Sequence, residues 1–122
     1  MIEILKDLPA NVVGFRASGI VTKEDYQEVV SPEVSRLVKR TDTLNFLLLL
    51  DTDIENFTTG AWVQEAMIGL KNLTKWNRSA IVTDSDAVIN FTNGFTYLVP
   101  GEFMGFKKEN YKAAVSWISG TE

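Results

Sequence analysis

Two apolar runs, residues 46–50 and 80–82, stand in the middle of the chain. The segment around the first, Leu44–Asp51, is too short for a membrane span and has no 3.6-residue break, which is typical of a strand covered on both faces of a parallel sheet. Residues 78–84 form a second strand of the same kind. Because ligands and partners meet such sheets beyond the carboxyl ends of the strands, we expect any activity in residues 51–60.

Alternating and helical patterns flank the first run. Residues 2–5 and 12–19 alternate between apolar and polar positions, which predicts an antiparallel pair at the edge of the sheet. Apolar residues then recur at helical spacing from Tyr26 to Val38, after Thr22 as the N-cap. Since Pro32 removes a backbone donor, we expect a kink or a break of this helix near Val30.

Two further helices and a short strand complete the pattern. A helix capped by Thr58 or Thr59 runs through Leu73, and residues 102–107 form the last strand. A terminal helix follows over residues 108–118. The inward stripes predicted for the two helices are Trp62, Ala66, Leu70 and Leu73, and Tyr111, Ala114, Val115 and Ile118, respectively.

Residues 88–99 carry two conflicting signals. Asn93-Gly94 between apolar segments is typical of a β-hairpin turn. An apolar stripe at i, i+3, i+7 and i+10 instead indicates a helix, and a parallel strand after it needs a crossover. We predict the helix, whose stripe is Val88, Phe91, Phe95 and Leu98.

The amino-acid composition excludes several classes of function. The 122 residues suit a single domain, 1–122, and the net charge of -4 argues against a nucleic-acid partner. The chain contains no cysteine and no histidine, which excludes disulfides, thiol chemistry, histidine-based catalysis and the usual zinc sites. The first residues lack the basic and apolar segments of a signal peptide, so we expect a cytoplasmic protein with no membrane span.

The order and spacing of short motifs resemble those of the STAS domains, and most closely the SpoIIAA-like (STAS-like) family of small bacterial proteins. The resemblance implies an α/β fold: a mixed, mainly parallel five-stranded sheet with an antiparallel edge strand, packed with about four helices. It covers nearly the whole chain. The motifs that carry it are Leu8-Pro9-x-Asn11-Val12-Val13-Gly14-Phe15 with Gly19, Thr22-Lys23-Glu24-Asp25-Tyr26, the apolar strand to Asp51, Phe57-Thr58-x-Gly60, Gly69-Leu70-Lys71, Ala80-Ile81-Val82-Thr83-Asp84 and Pro100-Gly101-Glu102.

The resemblance implies a non-enzymatic regulatory or protein-interaction domain similar to the anti-sigma-factor antagonists. In those antagonists a Ser-Ser-Gly-like element after the third strand is phosphorylated, and Thr58-Thr59-Gly60 occupies the matching place. The ordinary alternative is that either hydroxyl only caps the helix. The interaction or regulatory surface predicted in this way comprises Asp53, Phe57, Thr58, Thr59, Gly60 and Trp62.

A second implication comes from the resemblance of SpoIIAA-like folds to CRAL-TRIO lipid-binding domains. It implies a pocket between helices and sheet for a small apolar, lipid-like ligand. The ordinary alternative is that the same aromatic and methionine side chains are simply core. The predicted lining residues are Trp62, Met67, Phe91, Phe95, Tyr97 and Phe103.

Enzyme and metal functions find less support in the sequence. Asp51-x-Asp53 after an apolar strand is similar to the first motif of magnesium-dependent haloacid-dehalogenase-type phosphatases, but the turn and the later acidic pair of those enzymes are missing. An EF-hand interpretation fails because Asn56 and Trp62 stand where glycine and glutamate are required. We therefore expect no catalytic residues, no metal and no cofactor. A homodimer through the edge strand at residues 2–5 stays open.

Overall fold

A computed structural model of the protein describes residues 1–120 and contains five strands and four helices. The strands are β1 (Ile2–Ile4), β2 (Val13–Ser18), β3 (Leu44–Asp51), β4 (Trp76–Val82) and β5 (Glu102–Phe106). Helix α1 spans residues 23–41 in three segments, an α-helical turn Lys23–Asp25, a π-helical turn Tyr26–Val30 and the α-helix Ser31–Thr41. The other helices are α2 (Thr59–Lys71), α3 (Asp86–Phe95) and α4 (Tyr111–Ser119).

The strands form one sheet in the order β1-β2-β3-β4-β5. The edge strand β1 is antiparallel to β2, with Ile2 opposite Ala17, and the other neighbours pair in parallel. The predicted sheet is therefore confirmed, including the central position of β3. Its parallel strands bring Ser18, Asp51 and Val82 to the same edge of the sheet.

The two faces of the sheet are covered unequally. Alternate residues of β3 point to opposite faces, so that Phe46, Leu48 and Leu50 pack with α1 and α2, while Leu47 packs with Ala114 and Ile118 of α4. Val88 of α3 packs on the same side as α1 and α2. Three helices therefore share one face, and the terminal helix covers the other together with residues 5–12.

Pro32 causes a local widening of α1 and no break. The Ser31 N–H donates to the Tyr26 carbonyl, five residues back, and Pro32 lies at the start of the following α-helical segment, where a missing N–H is tolerated. The predicted irregularity near Val30 is thus a π-helical turn. It includes Tyr26 and Val30, both of which are fully buried.

Residues 86–95 are helical, which confirms the helix and rules out the hairpin. Asn93 is not a turn residue, since its side-chain oxygen accepts a 2.8 Å hydrogen bond from the Gly105 N–H on the outer edge of β5. The Thr96 hydroxyl accepts in the same way from the Phe103 N–H, at 3.1 Å. Side chains at the end of α3 thus cover backbone donors that an edge strand would otherwise expose.

The predicted inward stripe of α2 is wrong. Trp62, Leu70 and Leu73 are 45%, 73% and 42% exposed, whereas the buried positions of this helix are Ala61 and Ile68. Phe57, which precedes the helix, takes the buried position instead, and the Trp62 ring stacks on it with 5.0 Å between ring centroids. The strongest apolar stripe of α2 therefore lies beside the core and not in it.

Candidate functional site

An open apolar groove runs between α2 and α3, with the sheet as its floor. It consists of two adjoining cavities of about 360 and 570 Å³, which share Trp62, Glu65, Ile81, Phe91 and Thr92. Both volumes fall in the range of small-molecule sites. We call this feature the apolar groove; its further lining residues are Tyr26, Leu48, Leu50, Ile54, Phe57, Ala87 and Val88 at the smaller cavity, and Ala66, Gly69, Leu70, Leu73, Trp76, Ser79, Phe95, Val99, Pro100 and Phe103 at the larger one.

The walls of the groove are the apolar stripes that the sequence predicted as core. All four predicted stripe residues of α2 line it, and so do Val88, Phe91 and Phe95 of α3. Phe91 is 70% exposed, although it stacks on Phe95 at 5.7 Å between ring centroids. The fourth residue of the predicted stripe, Leu98, lies beyond the end of α3, is 76% exposed and does not line the groove. Two helices thus present apolar side chains to each other across a gap that no described residue fills.

Four of the six predicted ligand-lining residues come together in the groove. Trp62, Phe91, Phe95 and Phe103 line it, and the Phe95 and Phe103 rings meet edge to face at 5.3 Å. Met67 and Tyr97 do not, because both point to solvent and are 54% and 88% exposed. The placement of these two residues in the lining was wrong.

One end of the groove is polar. Tyr26 of α1 lies beneath the smaller cavity with no exposed surface, and its hydroxyl makes no hydrogen bond of regular geometry with a described residue. The Glu65 carboxyl of α2 lies beside this hydroxyl and lines both cavities. Burial raises the pKa of Glu65 to about 7, and the hydrogen-bonding interaction that the neighbouring Tyr26 hydroxyl offers to the carboxylate opposes this rise in part. We call Tyr26 and Glu65 the polar end.

The sequence contained a signal for Glu65 that the stripe prediction overlooked. Ala61, Glu65 and Ile68 follow helical spacing, and the outer two are the buried residues of α2. A carboxyl between two inward positions marks a buried ionisable group, which is uncommon without a function or a partner. Tyr26 was correctly predicted as buried, but nothing in the sequence shows that its hydroxyl lacks a partner.

The predicted regulatory surface surrounds the start of α2. Thr58 is the N-cap, and its hydroxyl accepts a 3.1 Å hydrogen bond from the Ala61 N–H. Thr59 is the first helical residue and is exposed, as is Asp53. Phe57 is buried, whereas Gly60 is half-buried against Lys23, to which an added Cβ would come within 3.0 Å. Of the predicted surface, Phe57 and Trp62 also line the groove.

A second cleft, of about 550 Å³, lies at the carboxyl edge of β3 and β4. Asp51 lines it, and its carboxylate accepts hydrogen bonds from Lys108 at 2.6 Å and from Arg16 at 2.5 Å. These two cations, Lys108 foremost, hold the pKa of Asp51 below its usual range. Within residues 1–120 no group of three or more His, Cys, Asp or Glu side chains is arranged to hold a metal ion. The geometry of Asp51 is that of an ion-pair centre.

Comparisons with known proteins agree with this architecture. The SpoIIAA-like family model matches residues 12–119, which is most of the chain. The crystal structure of an uncharacterized protein with a SpoIIAA-like fold from Shewanella loihica PV-4 superposes with a TM-score of 0.75 at 24% identity, over 96% of this chain and 93% of that one. No curated protein matches. No helix in the described part of the chain is long and apolar enough to cross a membrane. With the predicted sheet in place and the family match spanning its strands β2 to β5, the chain belongs to the SpoIIAA-like family.

Proposed function

We propose that this domain acts by binding and not by catalysis, and that the apolar groove is its binding site for a small apolar ligand. The observation that carries the proposal is the exposure of two apolar helix stripes on opposite walls of one groove. Apolar side chains gain free energy when they leave water, at roughly 25 cal/mol for each Å². An occupant would therefore gain affinity from both walls at once.

The shape of the groove supports a small ligand as the occupant. A flat protein surface laid over α2 and α3 would cover the outer apolar side chains but would leave the two cavities between the helices unfilled. A small molecule that enters between the helices can reach both. Trp62 and Trp76 supply aromatic walls, and Ile81 supplies the floor.

The proposal is tested by isothermal titration calorimetry with 1-decanol, whose apolar chain suits the groove. We expect saturable binding with a negative heat-capacity change, the mark of apolar burial. Ala66 is an exposed wall residue, so Ala66→Trp fills the groove without disturbing the core and should weaken binding by about tenfold or more. Ala113→Trp, at an exposed position of α4 outside the groove lining, is the matched control. Equal binding by both variants, or no binding by the wild type, contradicts the proposal.

A regulatory role at the start of α2 is the second candidate, and the exposure of Thr59 favours it. The Thr58 hydroxyl is engaged in capping, whereas Thr59 faces solvent at the first helical position. A phosphate there would meet free backbone N–H groups and the positive end of the helix dipole. Partner binding across Asp53, Thr58, Thr59 and Trp62 would then depend on phosphorylation.

Intact mass spectrometry of the protein from its own organism tests this candidate. We expect a species heavier by one phosphoryl group that maps to Thr59 and is absent from Thr59→Ala. Thr59→Ser, which keeps the hydroxyl, should retain it. A protein that carries no phosphate and keeps its copurifying partners in both Thr58→Ala and Thr59→Ala would remove the support for a regulatory switch.

A further inference from the structure

The apolar groove adjoins the cleft at the carboxyl edge of the sheet. The smaller cavity of the groove and the cleft of about 550 Å³ share Leu50, Ile54, Ala87 and Val88 in their linings. Ile54 and Ala87 are exposed, so these four residues form a low wall that solvent reaches. A ligand that lies in the groove therefore meets the cleft at this wall.

The direction of the groove brings one end of an elongated ligand to the shared wall. The groove follows β4, since Trp76 at the start of the strand lines the larger cavity and Ile81 near its end lines both. At about 3.3 Å for each residue, the distance from Trp76 to Ile81 along the strand is roughly 17 Å. A chain of this length lies along the apolar floor and points its end at the cleft.

The lining changes from apolar to polar at the shared wall. On the groove side, Glu65 is the one charged residue of the described lining. On the cleft side, most lining residues carry a hydroxyl, a carboxyl or an ammonium group. This profile fits an amphiphile, whose apolar chain gains free energy by leaving water while its polar end keeps hydrogen-bond partners.

Charge restricts the polar end of such a ligand. Lys108 is the one cation of the described cleft lining, and its ammonium group is already held by Asp51 at 2.6 Å. Asp53 and Glu55 are exposed and form no ion pair with another residue of the range 1–120. An anionic head group would meet these carboxylates at its own sign, whereas an ammonium group would find opposite charge and hydrogen-bond acceptors.

We propose that the groove and the cleft together bind a cationic amphiphile, with its apolar chain between α2 and α3 and its ammonium group beside Asp53 and Glu55. This inference rests on the proposed function, because it names the class of ligand that the same groove takes. The acidic side chains select the head group, and the adjoining groove holds the chain to which the head group is attached.

The test compares three probes of equal chain length, decylamine, 1-decanol and decanoate, by calorimetry at about pH 7.5. Decylamine, like a lysine side chain, is protonated at this pH. We expect decylamine to bind about fivefold more tightly than 1-decanol, as exposed ion pairs allow, and decanoate to bind more weakly than both. The advantage of decylamine should vanish between about 0.01 and 1 M salt, because the Debye length falls from about 30 to 3 Å.

Paired variants locate the head group. Asp53→Asn combined with Glu55→Gln should bring the affinity ratio of decylamine to 1-decanol close to one. Glu24→Gln combined with Glu28→Gln removes the same two charges at exposed positions of α1 outside the described linings, and it should keep the wild-type ratio. Ala87→Trp raises the shared wall without changing any charge and should lower the ratio as well.

The outcomes distinguish this inference from the function on which it rests. If 1-decanol binds but decylamine binds no more tightly, or if decanoate binds best, the groove stands and the cationic specificity is overturned. An equal loss of the ratio in the Glu24 and Glu28 control also overturns it, since net charge would then be the cause. A ratio that survives without Asp53 and Glu55 but is lost in Glu65→Gln overturns the assignment to the cleft. If no probe binds the wild type, the proposed function falls and this inference falls with it.

Discussion

The sharpest stability prediction concerns Glu65, whose burial couples folding to pH. The pKa of this carboxyl rises from 4.5 to about 7 in the folded protein, and burial is the cause. Between these two values the folded state retains a proton that the unfolded state releases. The stabilisation is therefore complete below pH 4.5 and is lost as the pH rises through about 7.

The size of the effect follows from the same two values. The difference between about 7 and 4.5, at about 1.4 kcal/mol for each pH unit, corresponds to about 3 kcal/mol of unfolding free energy. Few other groups interfere in this window. The chain has no histidine, and the pKa values of Asp25 and Asp51 are lowered, away from it.

The assay is urea unfolding followed by circular dichroism between about pH 5 and pH 8. The wild type should lose most of the about 3 kcal/mol over this range, whereas Glu65→Gln, which cannot ionise, should stay nearly level. Glu109→Gln makes the same change at an exposed position and should follow the wild type. Parallel curves for the wild type and Glu65→Gln would refute the desolvation of the Glu65 carboxyl and, with it, the polar end.

Three further predictions follow from single contacts. Thr58→Ala removes the N-cap of α2 and should lower the unfolding free energy by about 1 kcal/mol, whereas Thr59→Ala should lower it by less than half of that. Equal losses in thermal unfolding would contradict the cap assignment. Gly105→Ala places a Cβ 2.8 Å from the Ile89 backbone and should destabilise the protein by roughly 1–3 kcal/mol. Gly69→Ala meets open space inside a helix and should stabilise the protein by about 1 kcal/mol. The reverse order of the two variants in urea unfolding would contradict the packing of α3. Asp51→Asn breaks partly exposed ion pairs and should lower the unfolding free energy by less than about 1 kcal/mol at neutral pH. This penalty should vanish in acid, where the wild-type carboxylate is protonated. An undiminished penalty at low pH would show that the ion pairs are not its cause.

The sequence was sufficient for the sheet because its strands have distinctive patterns. Leu44–Asp51 reads as a strand buried on both faces, and the structure places it at the centre of the sheet. The choice of a helix for residues 86–95 succeeded because the crossover to a parallel β5 requires one. Asn93-Gly94 was misleading as a turn signal, since Asn93 bonds to the neighbouring strand instead.

The candidate site could be predicted only in part, because periodicity cannot distinguish a core stripe from a groove wall. Trp62, Leu70 and Phe91 have the spacing of buried residues, yet the gap between α2 and α3 leaves them exposed. That gap depends on how far two helices stand apart on the sheet, which no local pattern encodes. The Tyr26–Glu65 pair joins two helices that are distant in sequence, so it too emerges only from the fold.

The central claim is that the apolar groove holds a small apolar ligand, and native mass spectrometry of the protein freshly isolated from its own organism tests it most directly. The spectrum should contain a complex that releases a lipid-like molecule on activation. Ala113→Trp, expressed in the same cells, should carry the same molecule, and Ala66→Trp should not. A bare protein mass in repeated gentle preparations, or the same adduct on both variants, would contradict the claim.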